Sequence, residues 1–215
     1  MVILVSSFSE RVLAMLSSRK SDSLVIIVHE IHGVNQHMRY ISHLINNLGV
    51  DVICPNLYPS GVSLGDSEEG DYNSFFKHVG FQKAGSQIKE LIEDSRGKYE
   101  NIYLLGFSVG ATAAWLCSDH KDVSGVLCFY GSRIRDYVQV NPTSRTLLFF
   151  SNQEKSFDVN PLITALEKKE NKYIDIHLFD AKHGYANPYS KEYCQEAFDA
   201  SFALLKEVLT TPAEQ

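Results

Sequence analysis

Three residues of this 215-residue chain have the types and the order that acyl transfer requires: Ser108, a carboxylate in a later loop, and then His183. A serine hydroxyl is a poor nucleophile at neutral pH. It needs an imidazole to take its proton and a carboxylate to orient that imidazole. Ser108 sits in Gly106-Phe107-Ser108-Val109-Gly110, a G-x-S-x-G pentapeptide. The apolar run Ile102–Leu105 precedes it and a small-residue helical start follows, the context that a strand-to-helix nucleophile turn needs. Glycines two residues either side relieve crowding around a strained serine. The helix that follows points its free N–H groups at negative charge developing on a substrate.

Of the eight histidines, His177 falls inside a strand pattern beside Ile176, whereas His183 follows the last strand in DAKHGYANP, with Gly184 giving backbone freedom. His183 is the preferred base. For the acid, SNQEKSFD offers Glu154 and Asp158 after an apolar strand. Glu154 comes first and is favoured, Asp158 is the alternative, and Asp180 is a third choice. An oxyanion needs two backbone N–H groups, one from the residue after the nucleophile, Val109, and one from an earlier strand end. HEIHG at 29–33 is such an end, with Ile31 as donor. That pentapeptide is not H-E-x-x-H, since His29 and His32 are three apart and follow a strand. With no cysteine, histidine and aspartate cluster at tetrahedral spacing, no metal and no cofactor are expected. Arg133 and Arg135 follow a strand on the same side. They are either a clamp for a substrate carboxylate, which guanidinium matches in bidentate fashion, or solvated loop charges.

These residues need a scaffold that brings distant loops together. The pattern predicts a strand at Val2–Val5, a helix around Glu10–Ser17, a fully buried strand at Leu24–Val28, and a helix over Met38–Leu48 closed by Gly49. A strand at Val50–Cys54 and a loop over Asn56–Gly70 follow, then one or two helices across Tyr72–Ser95. Beyond the elbow, the helix runs from Ser108 to about Ser118. Strands are read at Val123–Tyr130, Thr146–Ser151 and Tyr173–Phe179, with helices at Pro161–Lys169 and Glu192–Leu209. Alternating strands and helices imply an α/β fold, one domain over 1–215, with a mostly parallel central sheet and helices on both faces. Right-handed crossovers gather the strand C-termini at one edge, where ligands bind.

Composition narrows the partners. Lys and Arg number 20 against 26 Asp and Glu, a formal charge of −6 with no dense basic cluster, which argues against nucleic acid and anionic membranes. No apolar run reaches 18 residues, and MVILVSSFSERV lacks the basic start of a signal peptide. Cys54, Cys117, Cys128 and Cys194 form no C-x-x-C pair and read as reduced, mostly buried residues of a cytoplasmic protein.

VHEIHGVNQHMRYISHLINNLGVDVICPNLYP (28–59), GFSVG, FFSNQEKSFDV and KHGYANP together resemble the dienelactone hydrolases of the α/β-hydrolase superfamily. The similarity spans about residues 24 to 209. It implies the α/β-hydrolase fold, Ser108 as nucleophile, Glu154 as acid, His183 as base, and Ile31 and Val109 as oxyanion donors. Glu30 matches a family carboxylate beside the nucleophile that helps control its ionisation. Two departures stand out: Ser108 occupies the position of the cysteine of well-known members, and Glu154 that of the usual aspartate. The expectation is a small soluble serine hydrolase acting on a carboxylic ester, lactone or thioester, as monomer or homodimer. The rival is a non-catalytic binding or interaction module. An imidazole lying between Ser108 and a carboxylate separates the two.

Overall fold

Strand β2 (Ser23–Val28) is buried from Leu24 onward, as its unbroken Leu-Val-Ile-Ile-Val run requires of a central parallel strand with no solvent face. In the computed structural model, which describes residues 12–15, 21–65 and 67–211, β2 pairs in parallel with β3 (Asp51–Pro55) and β4 (Asn101–Phe107). The parallel series continues through β5 (Gly125–Phe129), β6 (Arg145–Gln153) and β7 (Ile174–Lys182). Strand β1 (Val12–Met15) adds to β3 antiparallel. The spatial order is β1-β3-β2-β4-β5-β6-β7, the mostly parallel α/β sheet expected.

The period of two along a strand sends alternate residues to opposite faces. Val25 and Ile27 join Leu105 and Phe107 under helices α1 (Gln36–Asn46) and α6 (Gln195–Thr210), which contribute Met38, Ile41, Ile45, Phe198 and Leu205. Leu24, Ile26 and Val28 face the other way, under Ile88 and Ile92 of α3 (Gly80–Ser95), Trp115 of α4 (Val109–Trp115) and Leu162 of α5 (Asn160–Glu167). Helix α2 (Glu68–His78) adds Phe75 to that second core.

Strand register then places the loops. Gln153 pairs with Lys182 across β6 and β7, so the next residue on each strand is Glu154 and His183. Val28 pairs with Gly106 across β2 and β4, so Ile31 and Val109 both lie three residues beyond one paired position. Sequence-distant groups become neighbours because the strands end together.

Several expectations need correction. The helix read around Glu10–Ser17 is instead strand β1 at Val12–Met15. Val-Leu-Ala-Met is locally ambiguous, and pairing with the free edge of β3 decides it. The strand read at Val2–Val5 lies outside the described residues. The helix after the elbow stops at Trp115, short of Ser118, and continues as a turn. Tyr72–Ser95 resolves into two helices, separated at Val79, and the second opens on Gly80, whose φ is +67°. The first starts at Glu68, inside the segment read as loop, because Ser67 accepts from Gly70 N at 3.0 Å and Glu68, Glu69 and Asp71 complement the N-terminal dipole. Strands β6 and β7 outrun their predicted ends and carry a register shift between Ser151 and Gln153.

Candidate active site

At the elbow, Ser108 has φ 54° and ψ −115°, a left-handed conformation that few non-glycine residues adopt. The flanking glycines are obligatory at this spacing. A Cβ on Gly106 would fall 2.3 Å from the Gly110 carbonyl oxygen, and one on Gly110 would fall 2.2 Å from that of Val28. Helix α4 thus packs its first turn directly on the backbone of β2 and β4. Ser108 N donates to Phe129 O at 2.9 Å, which fixes the turn to β5.

His183 Nε2 lies 2.9 Å from Ser108 Oγ. On its other side, Nδ1 lies 2.9 and 3.0 Å from the two carboxylate oxygens of Glu154. A carboxylate only accepts, so Nδ1 carries the hydrogen and Nε2 is left to accept from the Ser108 hydroxyl. Ser151 Oγ donates to Glu154 Oε1 at 2.6 Å and holds the acid in place. Burial works against a charged His183, but the Glu154 hydrogen bond and charge, with Glu30 behind them, outweigh it and raise the imidazole above its ordinary pKa. Asp158 does not take part: its Oδ1 accepts from Asn160 N and Nδ2. Asp180 is exposed and accepts from Gln153 Nε2. The longer glutamate reaches the imidazole, and the alternative acids point elsewhere.

Ile31 and Val109 line the same cleft as Ser108 and His183, a space of about 770 Å³. Val109 opens α4, where N–H groups have no intrahelical partner.

The family model for the dienelactone hydrolases matches residues 11–212. The chain belongs to the dienelactone hydrolase family. It is 42% identical over 184 residues to the uncharacterized protein YczH of Bacillus subtilis, covering 85% of this chain and 90% of that one. Its fold matches that of a Klebsiella pneumoniae protein assigned as a dienelactone hydrolase, with TM-score 0.77, 17% identity, and 93% and 99% of the two chains covered. It also matches Est1E of Butyrivibrio proteoclasticus, solved with ferulic acid bound, with TM-score 0.69, 13% identity, and 94% and 95% covered. This family member is therefore a dienelactone hydrolase-like α/β hydrolase.

Within this dienelactone hydrolase fold, Glu30 is 7% exposed and lines the cleft. Tyr130 Oη donates to its Oε1 at 3.0 Å, and His37 Nδ1 stands 3.6 Å away, at ion-pair rather than hydrogen-bond distance. Burial pushes the Glu30 carboxyl up, yet His37, Tyr130 and His183 together bring it down to about 2, so it stays anionic. Tyr130 has φ 42° and its ring centroid lies 4.9 Å from that of His183. It was not evident beforehand, although the Tyr-Gly pair ending β5 marks a strand end at the active edge.

Arg133 and Arg135 both border the cleft from a short 3-10 turn, Ser132–Asp136. Their guanidinium groups share one carboxylate, Asp136, at 3.0 and 3.9 Å. Arg133 also lies over the Phe76 ring and Arg135 over Phe157.

The HEIHG histidines are structural anchors. Leu57 N donates to His29 Nε2 at 3.0 Å, so His29 Nδ1 carries the hydrogen and donates to Glu30 O at 2.6 Å. Burial lowers His29 to about 4 and keeps it neutral. His32 Nδ1 meets Asp71 Oδ2 at 2.6 Å. Among the described residues, Glu93, His120 and Asp122 bring three ligand-type atoms within 4.8 Å of one another. There His120 Nδ1 accepts from Asp122 N, and Glu93 pairs with Arg96.

Proposed function

We propose that this single-domain chain is a serine hydrolase that cleaves a carboxylic ester, lactone or thioester through an acyl-enzyme on Ser108. The observation that carries the reading is the hydrogen-bond chain from Ser108 Oγ through His183 to Glu154. His183 Nε2 takes the hydroxyl proton as Oγ attacks the carbonyl carbon. The oxyanion rests on the N–H groups of Val109 and Ile31. Collapse breaks the bond to the leaving group, which takes the proton from Nε2. Water, deprotonated in turn by His183, attacks the acyl carbon and frees Ser108 and the acid. Glu154 steadies the imidazolium, and anionic Glu30 adds to its field.

Arg133 and Arg135 share a single counter-charge, so the cleft carries a surplus of positive charge on that wall. A substrate carboxylate would find two guanidinium groups there. Free thiols at Cys54, Cys117, Cys128 and Cys194 support a reducing, cytoplasmic setting. The acidic balance of the chain disfavours nucleic acid. Among the described residues no helix is long and apolar enough to cross a membrane.

The test is turnover of p-nitrophenyl acetate, with fluorophosphonate labelling read by mass spectrometry. The wild type hydrolyses the ester and takes the label on Ser108, and Ser108→Ala loses at least about 1,000-fold in kcat and all labelling. A pure, folded wild type with neither turnover nor label ends this reading.

A further inference from the structure

The loop that carries Ile31 is held from three directions by side chains that touch no reacting atom. Tyr58 Oη donates to the Ile31 carbonyl oxygen at 2.6 Å, and burial raises the phenol so that it keeps its hydrogen. His29 bridges Glu30 O and Leu57 N, tying the loop to the end of β3. His32 Nδ1 donates to Asp71 Oδ2 at 2.6 Å, while Gly65 N donates to Asp71 Oδ1 at 2.8 Å. Asp71 is 2% exposed and belongs to α2. The same helix presents Glu68, Glu69 and Tyr72 to the cleft. One buried carboxylate therefore joins a wall of the substrate cleft to the His32 side chain, one residue past the oxyanion donor.

We propose that Tyr58, His32 and Asp71 are positioning residues of the oxyanion hole: they hold the Ile31 N–H on the acyl oxygen and make α2 and the hole one mechanical unit. This rests on the hydrolase reading above. The physical reason is steep distance dependence. A donor helps only when it meets the oxyanion at hydrogen-bond distance, and a misplacement of about 1 Å costs on the order of 100-fold in rate. A seven-residue loop between β2 and α1 cannot hold that tolerance through its backbone alone. The one backbone bond within it that matters, Gly33 N to Glu30 O, is long at 3.3 Å. Tyr58 fixes the peptide plane that follows the donor, His29 holds the carbonyl of the donor's own peptide, and His32 ties the next residue to α2. A substrate group that displaces α2 would drag the hole with it, so substrates that fit the α2 wall turn over and misfits bind without reacting.

The experiment measures kcat and KM with p-nitrophenyl acetate for wild type, His32→Ala, His32→Asn, Asp71→Ala and Tyr58→Phe, with thermal unfolding of each. His32→Ala should lower kcat about 10- to 100-fold, with KM within about threefold of wild type. His32→Asn, whose amide nitrogen sits where Nδ1 was, should recover most of that loss. Asp71→Ala and Tyr58→Phe should show the same split between kcat and KM. His32 is 40% exposed, so its variants keep the fold and decide the matter even if Asp71→Ala unfolds. Folded His32→Ala with wild-type kcat, a change confined to KM, or His32→Asn as slow as His32→Ala overturns the proposal. Each of those results leaves wild-type turnover intact and so spares the hydrolase reading. An inactive, unlabelled wild type overturns both.

Discussion

At the scale of single residues, the site separates one carboxylate that acts on the imidazole from others that only lie near it. Glu154 receives His183 Nδ1 and is itself held by Ser151, whereas Asp158 turns back on Asn160. The extra methylene of glutamate is accommodated because β6 runs on to Gln153 before the acid leaves it. His183 is raised despite burial, through Glu154 and Glu30. Its deprotonation therefore sets the acid limb of kcat/KM above the ordinary imidazole value. Replacing Glu154 by Gln removes the main raising cause, so the limb should move to lower pH. The plateau should also fall by about 1,000-fold or more, the scale seen when the orienting acid of such a triad is lost. Asp158→Ala should leave both limb and plateau near wild type. The pH dependence of p-nitrophenyl acetate hydrolysis checks all three.

At the scale of elements, the elbow was legible because two glycines at fixed spacing are a steric necessity, not a preference. Gly110 shows the size of that demand. Its Cβ would meet Val28 O at 2.2 Å and His29 O at 2.5 Å, so either α4 or the end of β2 must move. Gly110→Ala should cost about 3 kcal/mol, the upper part of the range for overpacking, and lower Tm by about 10 °C. Gly85→Ala, in buried α3, makes the opposite case. Its Cβ would meet only Cys117 Sγ at 4.0 Å, so Tm should hold or rise, since alanine is the better helix former by about 1 kcal/mol. Calorimetry of the two variants checks the contrast. What stayed illegible has the same kind of reason. The short Val12–Met15 segment takes its conformation from β3, a partner some forty residues away, and no local periodicity records that. The α2 start was hidden inside a Gly- and Ser-rich stretch, although Ser67 with its acidic successors was a readable cap. Tyr58, Tyr130 and Asp71 were missed because their roles come from tertiary contacts with the HEIHG loop, not from spacing.

At the scale of the molecule, two ionisable groups buried at the ends of the central strands make stability depend on acid. His29 is held near 4 by burial, below its ordinary 6.5. Unfolding releases it to bind a proton at higher pH, so the folded state loses ground as pH falls from about 6.5 to 4. Glu30 is held near 2, below its ordinary 4.5, because His37, Tyr130 and His183 favour the anion. That contribution is complete above pH 4.5 and drains away between 4.5 and 2. In both windows the unfolded chain binds more protons than the folded one, so the signs agree. Each is worth up to about 3 kcal/mol. His183 opposes them weakly, since its raised value favours folding below its unfolded pKa and that gain is lost as pH rises through the folded value. The urea midpoint should therefore fall in two steps on acidification. His29→Gln keeps an acceptor for Leu57 N but cannot be charged, and it should flatten the step between 6.5 and 4 while leaving the one below 4.5. Urea titrations at half-unit pH intervals give the answer, and an unchanged upper step in His29→Gln would show that some other group carries it.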